Sequence, residues 1–270
     1  MKYKITFVKI APDFEFAGVG FAGNIFITLN ALAHINYDDI LHVDMKTNKC
    51  VCTETIGENC WENYFDQIEI EEGEEHVNFT SLLGTKLYYE DKDMFLYPEN
   101  FTWLKNKFYN SFKIKENITN EIEKFYKENI KNKVTLGVQV RLTDMKHHHN
   151  VSPIEKYVEK INVILEENKN IQQIFLATDD SKIIPILKSS LKTPIIFYND
   201  MFRADENNLH LNPYDRFSSN RKNHKYILGV ECLKEILTLS KCDYMLKADV
   251  SSISIIATIL SENLKKVYKV

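Results

Sequence analysis

Apolar and polar positions follow two different rhythms along the chain. In the second half, short, mainly apolar runs alternate with longer stretches of helical spacing. Residues 134–140 (VTLGVQV), 171–178, 193–198 and 242–246 are runs of strand length. Between them, residues 152–168, 181–190, 225–240 and the stretch opening at Ala248 repeat their apolar positions every three or four residues. Strands separated by helices of this length pair in parallel, so the second half predicts an α/β fold with a doubly wound sheet. Ser152-Pro153-Ile154-Glu155 predicts a helix start, with Ser152 as N-cap, Pro153 in the first turn and Glu155 at the positive end of the helix dipole.

The first half is less regular. Residues 2–10 alternate like a strand, 18–24 are glycine-rich, 25–34 have helical spacing, and 39–45 predict a second parallel strand. Residues 61–65 are an aromatic cluster, 67–71 predict a short strand, and the acidic run 71–75 predicts a solvated loop. Residues 101–132 predict one or two amphipathic helices, and 201–223 a long polar loop. The change of rhythm near Lys131 places a boundary there: an N-terminal α/β domain over 1–130 and a Rossmann-like domain over 131–270.

Composition narrows the function. With 44% hydrophobic residues in 270, the chain can bury a substantial core. A net charge of −4 gives no bulk attraction to nucleic acid, so any anion site must be local. No run approaches the ~18 apolar residues of a membrane span. The N-terminus lacks the pattern of a signal peptide, which predicts a cytoplasmic protein. Five cysteines, an odd number, then predict reduced thiols. Cys50-Val51-Cys52 is too tightly spaced for the usual zinc pair and has no second pair to match it.

Chemistry concentrates where the apolar runs end. In open α/β sheets ligands bind beyond the carboxyl ends of strands. Arg141 and Asp144 follow the run 134–140. A guanidinium fork there suits a phosphate, and a surface Arg–Asp pair explains the same residues. Gly20, Gly23 and Asn24 lie between a strand and a helix. That arrangement lets a backbone approach a phosphate, and a tight turn explains it equally well. Asp179 and Asp180 end the run 171–178. Adjacent side chains after a strand diverge, so a helix cap plus one ligand contact fits them better than a two-carboxylate metal site. Ser251 and Ser252 open the last helix as a cap, with a phosphate as a possible further partner. His147, His148 and His149 admit three readings: a metal site, a base, or a solvated loop.

Several of these stretches, in this order, resemble the fucosyltransferase superfamily that makes α1,6-, α1,2- and protein O-fucosyl linkages. Gly18-Val-Gly-Phe-Ala-Gly-Asn-Ile-Phe26 resembles its N-terminal glycine–asparagine loop, and Trp61-Glu-Asn-Tyr-Phe65 an aromatic segment of the α1,6 and nodulation-type branch. Gly137-Val-Gln-Val-Arg-Leu-Thr-Asp144 resembles the His-x-Arg-x-x-Asp motif, and Pro153 to Tyr157 the helix start downstream of it. Phe175-Leu-Ala-Thr-Asp-Asp180, and Leu239 to Leu246 with Val250 to Ser254, resemble the second and third motifs. The resemblance implies a GT-B-like pair of Rossmann-like domains with a donor cleft between them. It also implies an inverting transfer of fucose or a related sugar from GDP to a glycan hydroxyl, with no metal and no cofactor beyond the GDP-sugar donor. The expected partners are the nucleotide sugar and a glycan acceptor, with possible peripheral association with glycan-assembly machinery.

Carried over, Arg141 contacts the β-phosphate and Asp144 sits beside the donor or braces Arg141. Asp179 and Asp180 lie at the nucleoside end, and Ser251, Ser252 and Ser254 bind the diphosphate. Gly20, Gly23 and Asn24 line the cleft from the other side. His149, Glu155 and Asp144 are the candidates for proton transfer. The chain departs from the motif at Gln139, where the family has His, and at Leu142, where the α1,6 branch has a second basic residue. Lys146, Arg216 or Arg221 could compensate for that charge. Two other classes are compatible with the residues: a non-catalytic nucleotide- or glycan-binding module of the same fold, and a metal-dependent hydrolase using the histidines and paired aspartates.

Overall fold

A computed structural model describes residues 2–6, 20–34, 40–46, 52, 58–68, 76–80, 93–142, 151–203, 221–248 and 251–270. The expectations for residues 7–10, Gly18, the run 71–75, Asp144, Lys146, the three histidines, Arg216 and most of 201–223 fall outside them. In chain order the elements are β1 (Lys2–Thr6), α1 (Phe21–Leu32), β2 (Ile40–Asp44), β3 (Phe65–Asp66), β4 (His76–Thr80), α2 (Thr102–Ser111), β5 (Lys113–Ile114) and α3 (Glu116–Phe125). There follow β6 (Thr135–Val140), α4 (Ile154–Glu167), β7 (Gln173–Thr178), α5 (Ile183–Ser190), β8 (Ile195–Ile196), α6 (His224–Ser240), β9 (Tyr244–Lys247), α7 (Ser252–Ile259) and β10 (Lys266–Lys269).

The second half builds a parallel five-stranded sheet in the order β10-β9-β6-β7-β8. From β6 the chain steps outward through β7 to β8, then returns to the other side of β6 for β9 and β10. The order therefore reverses between β6 and β9, and a crevice opens beyond the carboxyl ends of those two strands. Both faces of the sheet are covered, which is why β6 and β7 are buried along their whole length. One face carries Leu136, Val138, Val140, Ile174 and Leu176 against Tyr157, Ile161 and Ile164 of α4 and Ile183 and Leu187 of α5. The other carries Phe175, Ala177 and Met245 against Leu233, Ile236, Leu237 and Leu239 of α6 and the apolar side of α7. Gly137 allows α6 its close approach. A Cβ at that position would lie 2.9 Å from Leu239 Cδ2 and 3.2 Å from Cys242 Sγ.

In the first half, β2, β1 and β4 form a parallel three-stranded sheet, and β3 and β5 a two-residue antiparallel pair. The aromatic cluster is buried: Trp61 stacks on Phe65 with ring centroids 4.0 Å apart. One apolar core runs from α1 through this cluster to α6 and α7, so the two halves share it.

Some expectations are corrected. The α1 helix starts at Phe21, not Ile25, so Gly23 and Asn24 belong to its first turn, with Gly20 as N-cap. Phe21 and Ala22 are buried, and docking this apolar end extends the helix past the glycines. The N-cap of α4 is Pro153, one residue after Ser152. Of the expected strand 67–71, residues 69–71 lie outside the described residues and 67–68 are not in a strand; a short strand instead falls just before them, at Phe65–Asp66, paired with β5. The edge strand β10, with lysines at both ends, went unpredicted; polar ends are common where a strand closes a sheet. Of the cysteines, Cys52, Cys232 and Cys242 are free thiols. Cys60 is in a disulfide whose other half lies outside the described residues. An odd count forbids complete pairing but not a single pair.

Candidate functional site

The site residues follow from strand parity. Side chains on a strand alternate between faces, so Gly137, Gln139 and Arg141 continue the α6-facing side of β6, and Phe175, Ala177 and Asp179 that of β7. Arg141 and Asp179 meet just beyond the strand ends, Nε to Oδ2 at 3.9 Å, both partly exposed to the crevice. Leu142 and Asp180 take the other side. Leu142 packs against the α4–α5 core cluster, so no second charge points into the crevice from this position. Asp180 accepts the backbone N–H of Lys182 at 2.8 Å at the entry to α5. The paired aspartates therefore diverge, which removes the two-carboxylate metal clamp. Among the described residues no cluster of three His, Cys, Asp or Glu could hold a metal.

Two buried polar atoms at the crevice have no hydrogen-bond partner among the described residues: Gln139 Oε1 and Ser251 Oγ. Gln139 is 2% exposed and Ser251 3%. Such atoms cost free energy unless something satisfies them. Ser251 is the N-cap residue of α7, yet its side chain caps nothing. Its carbonyl is held by the Ser254 hydroxyl, which donates at 3.3 Å, and Ser254 itself is fully buried. The first-turn amides of α7 point out of the helix with the positive end of its dipole. Guanidinium, hydroxyl and helix N-terminus thus follow the carboxyl ends of the adjacent strands β6 and β9, a combination suited to an anion.

From across the crevice comes α1. Gly20 has open space around it, with nothing within 4 Å of where a Cβ would stand. Asn24 is fully buried in the helix and its carbonyl accepts the Thr28 hydroxyl at 3.0 Å. Glu155 is exposed in the first turn of α4.

Two further charged groups escaped the sequence reading. Glu235, on α6, accepts the backbone N–H of Thr178 at 3.2 Å at the end of β7. Burial pushes its carboxyl up to about 7; Arg203 opposes this and Asp179 adds to it. Lys247 ends β9 at 1% exposure, and its charge helps to lower the Asp93 carboxyl, after the larger effect of Lys269. Each left a faint signal: a carboxylate among the apolar positions of a helix, and a lysine closing an apolar run just before Ser251. Arg221 does not supply the charge missing at Leu142. It forms a two-pronged ion pair with Glu231, at 2.6 and 3.1 Å.

No protein-family model matches the sequence, and no curated protein sequence matches it. Solved structures do resemble it. The NodZ α-1,6-fucosyltransferase co-crystallised with GDP superposes with a TM-score of 0.59 over 97% of this chain and 93% of that one, at 11% identity. The fucosyltransferase NodZ from Bradyrhizobium gives 0.57 over 97% and 94%, at 12% identity. The Arabidopsis thaliana FUT1 mutant R284K in complex with GDP gives 0.53 over 96% and 69%, at 10% identity. Among the described residues no helix is long and apolar enough to cross a membrane. The chain has an α/β, GT-B fold, similar to that of these solved fucosyltransferases.

Proposed function

We propose that the protein transfers fucose, or a related sugar, from a GDP-sugar to a hydroxyl of a glycan, inverting the anomeric centre without a metal. The observation that carries this reading is the placement at the strand-order reversal of Arg141, beyond the end of β6, and of two buried polar atoms with no partner among the described residues, Gln139 Oε1 on β6 and Ser251 Oγ after β9. Solved structures of the same fold, with GDP bound, supply the donor class. The lobe 1–130 then serves the acceptor and the lobe 131–270 the donor.

In this mechanism negative charge grows on the departing diphosphate as the glycosidic bond breaks. Arg141, the Ser251 and Ser252 hydroxyls and the α7 amides stabilise it, and Ser254 holds Ser251 in place. Asp179 orients Arg141. Asp180 shapes the adjoining turn at the nucleoside end. Glu235 completes that end: guanine presents adjacent N–H donors that one carboxylate can accept together. Gly20 and Gly23 form the facing wall, with Asn24 buried in the helix behind them. The acceptor hydroxyl passes its proton to Asp144, His149 or Glu155. The protein works in contact with glycan-assembly machinery; its Cys60 disulfide favours an oxidising compartment over the cytoplasm expected from the sequence.

The test is calorimetry with GDP and GDP-fucose, followed by transfer assays on a panel of glycan acceptors with and without chelator. Arg141→Ala lowers transfer roughly 10²- to 10³-fold while the folded state survives. Full activity in that variant, or loss of activity on chelation, sinks the mechanism. A second reading, a binding module without turnover, draws on the exposed Glu155 and the apolar Leu142. GDP binding with no transfer to any acceptor selects it.

A further inference from the structure

The open edge of the five-stranded sheet carries a cavity that shares none of the crevice residues named above. It measures about 590 Å³ and lies where three elements meet: the end of α3 with the turn that follows it, the last turn of α5, and β8 with residues 197–200. Small-ligand sites commonly span about 300–1,000 Å³. The floor is apolar, made by Phe125, Ile195, Ile196 and Phe197. The walls are fixed by contacts of their own. The Phe125 ring stacks on Tyr198 with centroids 3.9 Å apart, and the Tyr198 hydroxyl is hydrogen-bonded to Thr238 Oγ1 at 2.9 Å. Tyr126–Ile130 continue α3 as a π-helical turn, a rare form that recurs at functional sites. Gln173 of β7 anchors that turn by donating to the Asn129 carbonyl at 2.7 Å.

The charges around the floor cancel. Three lysines, Lys124, Lys188 and Lys234, stand with three carboxylates, Glu121, Glu128 and Asp200. The Lys234 side chain is 7% exposed and ion-paired with Glu121 at 3.2 Å and Asp200 at 3.6 Å. The Lys188 ammonium lies over the Phe197 ring, 4.9 Å from its centroid. A charged ligand of either sign therefore meets like charges here. An uncharged ligand rich in hydroxyls meets carboxylate acceptors, ammonium donors, the amides of Asn129 and Asn199, and an apolar floor for its C–H faces. A sugar has this chemistry. An extended peptide fits less well. The Pro194 carbonyl accepts the Ile174 N–H, so Ile195, opposite Ile174, turns its backbone groups outwards, and β8 ends one residue later. That is too little main chain to seat an added strand. Across Lys234 lies a smaller cavity of about 280 Å³, which shares Glu121 and Asp200 and adds Asn117, Tyr226 and Glu231. Adjoining cavities of like chemistry suit consecutive units of one chain.

We propose that these two cavities bind consecutive sugars of a neutral glycan on either side of Lys234. The smaller cavity reaches Glu231, one helical turn before Glu235 at the crevice rim. The glycan held here is then the distal part of the acceptor, a step that rests on the transferase reading above.

The experiment is calorimetry of the full chain with maltotetraose, cellotetraose and mannotetraose, in wild type, Asn199→Trp and Glu128→Ala. Both positions are exposed, so the fold survives, which equal thermal midpoints and equal GDP affinity check. At least one tetramer binds the wild type, and Asn199→Trp, which fills the larger cavity from its rim, weakens that binding about tenfold. Glu128→Ala weakens it as well. No binding of any tetramer, or an affinity unchanged in Asn199→Trp, overturns the site. So does a pool of unglycosylated octapeptides that binds more tightly than every sugar and is lost in Asn199→Trp. If Asn199→Trp does not fold, Glu128→Ala decides alone, and an unchanged affinity there overturns the site. In transfer assays, Asn199→Trp raises KM for a long glycan acceptor about tenfold and leaves kcat and the KM for GDP-fucose unchanged. An unchanged acceptor KM overturns the acceptor role. A protein that neither binds GDP nor transfers sugar refutes the transferase reading and with it the acceptor role, while the tetramer titrations still decide the site.

Discussion

Glu235 stands at the rim of the crevice with its carboxyl raised from an ordinary value of 4.5 to about 7, burial being the chief cause. The folded chain therefore holds this proton more tightly than the unfolded chain. The resulting stability is complete below pH 4.5 and is lost as pH rises through 7. A shift of this size corresponds to roughly 3 kcal/mol. Glu235→Gln is thus expected to melt higher than wild type at pH 8 and alike at pH 4.5, which a pair of thermal scans checks. If Glu235 accepts the guanine base as proposed, ligand binding has the opposite slope, because only the ionised carboxylate accepts its N–H groups. GDP affinity rises between pH 6 and 8 in the wild type and stays flat in Glu235→Gln. Lys247 makes a second residue-scale prediction. Its buried charge stands beside the switch point where Leu142 contributes none, so Lys247→Met weakens GDP binding about tenfold, measured by calorimetry at low salt, where screening is least. An affinity equal to wild type removes Lys247 from the site.

At the scale of elements, the contact between α6 and Tyr64 makes the sharpest demand. Gly229→Ala places a methyl group inside the space of the Tyr64 ring and hydroxyl. Overpacking of this kind costs about 1–3 kcal/mol, and the displaced hydroxyl abandons the Cys52 carbonyl as well. Chemical denaturation reads the loss, and Tyr64→Phe in the same background recovers part of it. This contact could not be foreseen: Tyr64 and Gly229 are distant in sequence, and a glycine in a helix signals only that something comes close. The βα alternation of the second half was legible because β6, β7 and β9 are buried on both faces and read as mainly apolar runs. The places of Arg141 and Asp179 just beyond strand ends were legible for the same reason, since they end those runs. β10 has a mixed pattern, and β8 pairs through only two residues. Glu235 was hidden because a helix position carries no sign of which strand end it will reach. The start of α1 was misplaced by four residues since glycine, a poor helix former, is outweighed there by the burial of Phe21 and Ala22.

At the scale of the whole molecule, the shared core sets the behaviour. The apolar cluster passes from α1 and the Trp61 region to α6, α7 and the sheet without a break at residue 131. Calorimetry should therefore record one cooperative transition, with equal calorimetric and van't Hoff enthalpies. Two separated transitions would mean that each lobe keeps a core of its own. The same continuity bears on how ligands come and go. Swinging the halves apart like a hinged book would strip Phe21, Ile25 and Leu29 from their packing and expose them to water. Sliding α1 along α6 and α7 by an ångström or two, with side chains repacking in place, exposes almost nothing. Of the two motions, a shear at the α1 interface is the one this packing allows at little cost. Its amplitude is governed by how finely those three helices interdigitate.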